Sequence, residues 1–366
     1  MRRALTSLPP DLPDHLRLIR SRGVGPVSYR QLMQRFGSAA EAIAMLPELA
    51  RRGRGRPPTL ADPRDIAAEM GAVERHGARY LLVGTVEYPR LLAEIDGAPP
   101  LLTVKGDVAL THRPCVAMVG ARNASAAACR LARQLANTLG HAGQVVVSGL
   151  ARGIDSAAHD GALPTGTIAV IAGGIDVAYP PENAERQTDI AEQGLVVAEM
   201  PPGTQPTARH FPNRNRIISG LCAGTIVVEA APRSGSLITA RLAGEQGREV
   251  MAVPGSPLDP RARGCNGLIR DGAVLVQDAD DVLATLGPID ARMERVAEER
   301  APAPIAEDLG EGASERVEQL LGPVAVGVDE VIRQSGLTPP EVQLALLELD
   351  LAGRLDRHAG GKVSLR

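Results

Sequence analysis

Residues 115–119, Cys-Val-Ala-Met-Val, form the first of seven short apolar runs that decide the fold of this chain. Stretches of helical character separate the runs, and nearly every run ends in Gly, Ser or Pro. The other six runs are residues 144–147, 167–171, 195–198, 225–228, 249–253 and 273–276. Continuously apolar strands are buried on both faces, which is typical of a parallel sheet covered by helices. The sequence therefore predicts an α/β domain, in which ligands bind at the carboxyl ends of the strands.

A small helical module is predicted before this domain, over residues 12–78. Its outline is helix, Gly23-Val-Gly25, helix, which is typical of a helix-hairpin-helix or SAM-like unit. The glycines permit a tight turn whose backbone N–H groups face a phosphate, or the module serves only for packing. The run Arg51-Arg-Gly-Arg-Gly-Arg56 indicates an exposed loop and an accessory contact for polyanions.

We assign the α/β domain to residues 79–286. The sequence that follows this domain predicts a linker and a third module. Residues 287–313 are rich in Glu, Ala and Pro, a composition that favours a flexible linker. Residues 314–366 contain three helical patterns and a hairpin, the order of a winged-helix domain. The helix expected to read DNA, residues 339–352, contains Glu341, Glu348 and Asp350 but no Lys or Arg. This favours a protein contact over duplex DNA.

Composition excludes several classes of protein. The net charge is -3, so any binding of nucleic acid must come from a local patch. No uncharged apolar run is long enough to span a bilayer, and the N-terminus lacks the apolar segment of a signal peptide. The four cysteines are far apart and form no Cys-x-x-Cys pair, so we expect neither a zinc site nor a disulfide framework. A cytoplasmic location fits these features.

One local patch is a segment of 28 residues, 201–228, that contains no Asp or Glu. Its centre carries Arg209, Phe211, Asn213, Arg214 and Arg216. Guanidinium groups bind phosphate oxygens, and an aromatic ring provides a surface on which a base stacks. The segment is therefore either a surface for polyanions or a solvated helix start with ordinary turns.

The loops after the predicted strands supply further candidates for nucleic-acid contacts. They combine small residues with arginine or a ring: Gly120, Arg122, Ser148, Gly149, Arg152, Gly153, Gly173, Gly174, Tyr179, Ser234, Gly235 and Ser236. The loop at Gly120 lacks the full Gly-x-Gly-x-x-Gly pattern, which argues against a standard NAD site. We find no complete catalytic constellation and expect no metal or cofactor. The isolated His159 favours a structural role.

Nine motifs in order resemble the DNA-processing protein A family (DprA, also called Smf). They are residues 120–122, 148–159, 167–174, 179–183, 211–219, 228–230, 233–240, 253–255 and 264–269. The resemblance covers residues 80–286 closely and the flanking modules more loosely. It implies an extended Rossmann-like, doubly wound core that binds single-stranded DNA without strong sequence preference. It also implies a homodimer that loads the recombinase RecA onto incoming strands during natural transformation, with no established turnover.

Within this resemblance, Arg122 matches the arginine of the family's Gly-x-Arg loop, which is part of a positively charged DNA pocket. Relatives often have a basic residue in the turn at 179–183, whereas this chain has Pro181-Glu182. We expect Arg122, Arg152, Arg214 and Arg216 to neutralise phosphates, and Phe211 or Tyr179 to stack on bases.

Two other functions remain open on the sequence. The chain also resembles nucleotide phosphoribohydrolases, but Thr239 stands where those enzymes have a catalytic Glu. A threonine hydroxyl cannot replace a carboxylate as acid or base near neutral pH. The third possibility is a nucleotide-sensing scaffold, whose pocket binds a phosphate-bearing small molecule.

Overall fold

The computed structural model describes residues 8–296, 309, 312–358 and 360–366. They fall into two compact units. The first unit combines the described residues up to 68 with those from 309 onward, and the second unit begins at residue 69 and contains the large sheet. Among the described helices, none has the length and apolar character needed to cross a membrane.

Helices and strands alternate along the second unit. Further helices and strands precede and follow this unit in the sequence. The helices are α1 (Leu12–Arg20), α2 (Pro26–Phe36), α3 (Ala39–Arg52), α4 (Pro63–Arg75), α5 (Arg90–Ala93), α6 (Ala126–His141), α7 (Ile154–Ala162), α8 (Ala184–Gln193), α9 (His210–Gly220), α10 (Gly235–Glu245), α11 (Arg263–Arg270), α12 (Ala279–Val296), α13 (Ala313–Gln319), α14 (Val328–Ser335) and α15 (Pro339–Leu351). The strands are β1 (Arg79–Leu82), β2 (Leu101–Gly106), β3 (Cys115–Gly120), β4 (Val145–Ser148), β5 (Thr167–Ile171), β6 (Leu195–Ala198), β7 (Gly224–Val228), β8 (Glu249–Ala252), β9 (Val274–Leu275), β10 (Val326–Gly327), β11 (Leu355–His358) and β12 (Lys362–Leu365).

The second unit is built on a nine-stranded sheet in the order β1-β2-β6-β5-β4-β3-β7-β8-β9. Strands β3 to β9 pair in parallel, and all seven were predicted from their apolar runs. The antiparallel strands β1 and β2, which extend the sheet beyond β6, were not predicted.

Helices cover both faces of this sheet because both faces of its strands are apolar. Val116 and Met118 of β3 pack with α6, α7 and α12 on one face. Ala117 and Val119 of the same strand pack on the other face, in a cluster that includes residues of α9, α10 and α11. This is an extended Rossmann-like, doubly wound core, and the fold prediction is confirmed.

The first unit contains both flanking modules. Its N-terminal part has the predicted order of α1, the Gly23-Val-Gly25 turn and α2. Its C-terminal part is a winged helix of α13, α14 and α15 with a sheet in the order β10-β12-β11. The linker predicted for residues 287–313 needs a correction, because α12 continues to Val296. Residues 297–308, 310 and 311 of that predicted linker lie outside the described residues.

The two modules of the first unit pack against each other through α15. Ser28 Oγ donates to Asp350 Oδ2 at 2.6 Å, and Gln31 Nε2 donates to Gln343 Oε1 at 2.7 Å. A Cβ atom at Gly55 would lie 2.1 Å from the carbonyl oxygen of Ala352, so the two backbones approach closely. The helix that a DNA-binding winged helix inserts into the major groove is therefore covered by the N-terminal module.

Candidate nucleic-acid interface

The candidate site lies at the carboxyl ends of the parallel strands of the second unit. Strands β3, β4, β5 and β7 are neighbours with the same direction, so their following loops meet at one edge of the sheet. We call these loops (120–125, 149–153, 172–180 and 229–234), with the first turn of α9, the strand-end rim. Open α/β sheets bind ligands at this edge.

The loops of the rim pack tightly against one another, which explains three of the predicted glycines. A Cβ atom at Gly120 would lie 2.0 Å from the oxygen of Val228, and one at Gly149 would lie 1.9 Å from Nη1 of Arg214. Gly153 has a φ of +75°, and its Cβ would lie 2.3 Å from the oxygen of Ala121. Close packing of the chain itself thus requires glycine here, without any contact to a ligand.

An aromatic ring lies at the centre of the rim. Phe211 stands in the first turn of α9. The guanidinium carbon of Arg122 lies 5.2 Å from its ring centroid and that of Arg214 lies 5.9 Å from it, both within cation–π range. The Tyr179 ring lies 5.7 Å away at an interplanar angle of 54°. We call Arg122, Tyr179, Phe211 and Arg214 the Phe211 cluster.

Arg214 forms the buried base of this cluster. It is 6% exposed, and its Nη1 donates to the carbonyl oxygen of Val170 at 2.7 Å. Burial lowers the pKa of Arg214 to about 10, with nearby Asp155 acting to raise it and Arg122 to lower it. Burial raises the pKa of Asp155, although Arg214 opposes that shift. Our expectation of a phosphate contact at Arg214 is therefore corrected, because its guanidinium is buried, donates to a backbone carbonyl and lies near the Phe211 ring.

The other arginines differ in whether a carboxylate faces them. Arg122 and Arg209 are exposed and form no ion pair with any carboxylate that the structure describes. Arg152 is exposed but forms an ion pair with Glu182. Arg216 was also expected to contact phosphate, but its Nη2 lies 2.5 Å from Glu199 Oε1 and its side chain is 16% exposed. The structure does not bring Arg216 into the Phe211 cluster.

The remaining predicted residues have mainly structural contacts. Ser148 is buried and donates to the carbonyl oxygen of Met118 at 2.6 Å. Gly173 and Gly174 pack under the chain, where a Cβ would lie 2.8 Å from Thr204 O and 2.6 Å from Pro201 O respectively. These internal contacts account for Ser148, Gly173 and Gly174 at their positions without any contact to DNA.

The loop at the start of α10 is more open. Ser234 Oγ accepts from the backbone N–H of Ser236 at 3.4 Å and caps the helix, while added atoms at Gly235 would meet open space. Asn213 is exposed on α9. A role for these residues in binding DNA stays a prediction.

Two carboxylates accept hydrogen bonds from the loops of the rim, and neither was among the predicted site residues. Glu229 follows β7 with a φ of +52° and accepts from the backbone N–H and the hydroxyl of Ser125, at 3.1 and 2.6 Å. Its carboxylate also lies 3.3 Å from Arg261. Asp155 accepts from the backbone N–H of Ala151 at 3.3 Å. The positive φ of Glu229 has no signal in the sequence, since this conformation is uncommon for a residue other than glycine.

His159 has the structural role that its isolation suggested. It is buried, and its Nδ1 lies 2.9 Å from the hydroxyl of Thr167. That hydroxyl donates to the carbonyl oxygen of Val146, so the imidazole Nδ1–H must donate to it. Burial lowers the pKa of His159 to about 3. The ring is therefore neutral at physiological pH.

The fold and the rim define an α/β protein whose sheet edge combines guanidinium groups and rings. The chain belongs to the DNA-processing protein A (DprA/Smf) family. Residues 79–287 match the family described as DNA recombination-mediator protein A. Residues 11–72 match the DprA-like N-terminal HHH domain, and residues 298–361 match the DprA winged helix domain.

Individual relatives agree with this assignment. DNA processing protein DprA of Streptococcus pneumoniae is 51% identical over 199 residues, which are 54% of this chain and 70% of the relative. Protein Smf of Synechocystis is 38% identical over 283 residues, 73% of this chain and 71% of the relative.

Two solved structures of DNA processing protein A are also similar. The protein from Streptococcus pneumoniae aligns with a TM-score of 0.60 at 38% identity and covers 74% of this chain and 95% of its own. The protein from Helicobacter pylori, described with a unique single-stranded DNA binding mode, aligns with a TM-score of 0.54 at 28% identity. It covers 58% of this chain and 96% of its own.

Proposed function

We propose that the chain binds single-stranded DNA at the strand-end rim. The observation that carries this proposal is the pair of rings, exposed Tyr179 and partly buried Phe211, beside the exposed guanidinium of Arg122, which forms no ion pair with a described carboxylate. Duplex bases are stacked inside the helix and cannot reach such a ring, whereas the bases of a single strand can. The single-stranded DNA binding named for the Helicobacter pylori relative supports the same function.

The proposed binding mode combines ionic contacts to phosphates with stacking on bases. Arg122 and Arg209 contact phosphates, and Tyr179 and Phe211 stack on bases. Tyr179 is 44% exposed, which leaves its face open to a ligand. Stacking is tolerant of sequence because every base has a π-face, so we expect little sequence preference.

We further propose that the protein acts as a recombination mediator in the cytoplasm. Membership in a family described as recombination mediators supports this role. In this proposal the chain forms a homodimer, protects incoming DNA and loads RecA recombinase onto it during natural transformation. A pull-down of purified RecA by the full chain on single-stranded DNA tests the partner, and no RecA retained above a DNA-only control would contradict it.

A binding role is also favoured over catalysis. Thr239, which occupies the position of the catalytic Glu in the phosphoribohydrolase comparison, is 1% exposed within α10. A buried hydroxyl offers no general acid or base to a substrate. Release of free base from nucleoside monophosphates by the purified chain would contradict this part of the proposal.

The central experiment is a filter-binding titration of the full chain with single-stranded and double-stranded oligomers of one sequence. We expect tighter binding of the single strand, with log K falling against log salt by about 0.7 for each phosphate neutralised. Equal affinity for the two forms, or tighter binding of the duplex, would overturn the assignment of the rim.

A further inference from the structure

The turn at residues 179–183 is held firmly on the loop after β4. Asn183 is 4% exposed, and its Nδ2 donates to the carbonyl oxygen of Leu150 at 2.8 Å. Arg186 Nη1 in turn donates to Asn183 Oδ1 at 2.6 Å. Because a buried amide with satisfied hydrogen bonds is costly to displace, the position of this turn on the rim is fixed.

The two ends of this turn carry opposite chemistry. Tyr179 at one end contacts Phe211 and belongs to the Phe211 cluster. Glu182 at the other end forms an ion pair with Arg152. The side chain of Arg152 is 64% exposed and that of Glu182 is 47% exposed. Both groups therefore face solvent, where a DNA backbone can approach. The same rigid turn thus presents a stacking ring and a carboxylate.

Arg152 is also adjacent to the loop that carries Arg122. A Cβ atom at Gly153 would lie 2.7 Å from the carbonyl oxygen of Arg122, so residues 152–153 abut residues 121–122. A strand whose phosphate lies at Arg122 can therefore also reach the ion pair of Arg152 and Glu182. The edge of a guanidinium that holds a carboxylate is not free for a bidentate contact with a phosphate.

We propose that Glu182 is an internal competitor for the DNA phosphate at Arg152, an inference that rests on the proposed function. In the free protein the carboxylate of Glu182 forms an ion pair with the guanidinium of Arg152. When DNA binds, the phosphate must displace Glu182 from Arg152 and remain close to a negative charge. Arg152 therefore contributes less to affinity than Arg122, which no described carboxylate pairs, and Glu182 weakens DNA binding by this chain.

The expected size of the effect follows from the exposure of the pair. Exposed ion pairs are weak, because solvent and salt screen them. Removing the negative charge at position 182 should therefore tighten binding by about two- to fivefold. It should also steepen the slope of log K against log salt by about 0.7, the contribution of one further phosphate contact on a single strand.

The experiment compares Glu182→Gln with Glu185→Gln by fluorescence anisotropy of labelled oligo-dT, using the full chain. Glu185 is an exposed acid one helical turn further on, in α8, and forms no ion pair with a described side chain, so its variant has the same change in net charge. Arg152→Ala is then measured alone and with Glu182→Gln. Both glutamates are exposed, and thermal melting of each variant checks that the fold is retained.

We expect tighter binding and a steeper salt slope for Glu182→Gln, a smaller change for Glu185→Gln, and loss of the gain when Arg152→Ala is added. Equal effects of the two glutamine variants, or a gain that survives Arg152→Ala, would overturn the competitor role while leaving the proposed function intact. Absence of binding by the wild-type chain would overturn both.

Discussion

Two arginine-rich segments, residues 51–56 and 209–216, look alike in sequence and differ in structure. In the first segment, Arg51 and Arg52 lie 2.8 and 3.1 Å from Glu48, and Arg54 forms an ion pair with Glu315. In the rim around the second segment, Arg122 and Arg209 have no described carboxylate partner, and a ring lies beside Arg122. Under the proposed function, the partners of an arginine, and not the number of arginines, decide whether a surface is available to DNA.

The first segment also holds the N-terminal module against the winged helix. Its glycines face the C-terminal end of α15, where a Cβ at Gly53 would lie 2.1 Å from the oxygen of Glu348. The predicted polyanion contact at 51–56 stays a prediction, and in the structure Arg51, Arg52 and Arg54 pair with carboxylates of the protein. The predictions below test this contrast between paired and unpaired guanidinium groups.

The largest effect is expected for Arg214→Met. The substitution removes the main positive charge near Asp155 and the donor to Val170 O, which should lower the free energy of unfolding by roughly 3 kcal/mol. Chemical denaturation monitored by circular dichroism measures it. A loss no larger than that of Arg54→Ala would show that burial does not distinguish the two arginines.

The next effect is on DNA affinity and concerns Phe211→Ala. Loss of one stacking surface should weaken binding of oligo-dT by about 1–3 kcal/mol. Anisotropy titration measures this, with Phe36→Ala as the control because Phe36 is an aromatic of α2 in the first unit. Equal losses for the two variants would mean that the ring at 211 is not the stacking surface.

Gly55→Ala tests the internal contact of the first unit. The added methyl group meets the backbone of Ala352, so we expect a destabilisation of about 1–3 kcal/mol from overpacking. Gly322→Ala is a matched control, since nothing lies within 4 Å of the Cβ it would add. The melting temperatures of the two variants and the wild type should separate only for position 55. Coincident curves would argue against close packing of the two modules.

The smallest effect is expected for Arg54→Ala. Its ion pair with Glu315 is exposed, so its loss should cost less than about 1 kcal/mol. Oligo-dT affinity should be unchanged, because this guanidinium is paired within the protein. A clear loss of DNA affinity in the anisotropy titration would restore the segment 51–56 as a polyanion contact.

Much of the fold could be predicted from the sequence because its signal is local. The runs at 115–119 and 167–171 are apolar at every position, and a strand buried on both faces needs such a run. Strand β1 (Arg79–Leu82) escaped prediction because it begins with an exposed arginine and so lacks a continuously apolar run. The packing of α15 on α2 and α3 joins residues more than 300 positions apart, as in the bond from Ser28 to Asp350, and no local pattern reports it.

The place of the candidate site in the fold could also be predicted from the sequence. Arg122, Arg152 and Tyr179 follow predicted parallel strands, which share a carboxyl edge. The sequence therefore predicted that their loops lie at one edge of the sheet. The inward direction of Arg214 could not be predicted, because it depends on a space beside Gly149 that forms only when α9 packs on the sheet. The pairing of Arg152 with Glu182 depends likewise on the anchor at Asn183.

The salt dependence of single-strand binding tests the contrast most directly. Log K for oligo-dT is measured against log salt for the wild type, Arg122→Ala and Arg51→Ala. We predict that Arg122→Ala flattens the slope by about 0.7 and that Arg51→Ala leaves it unchanged. Identical slopes for all three proteins, or a flatter slope only for Arg51→Ala, would contradict the account.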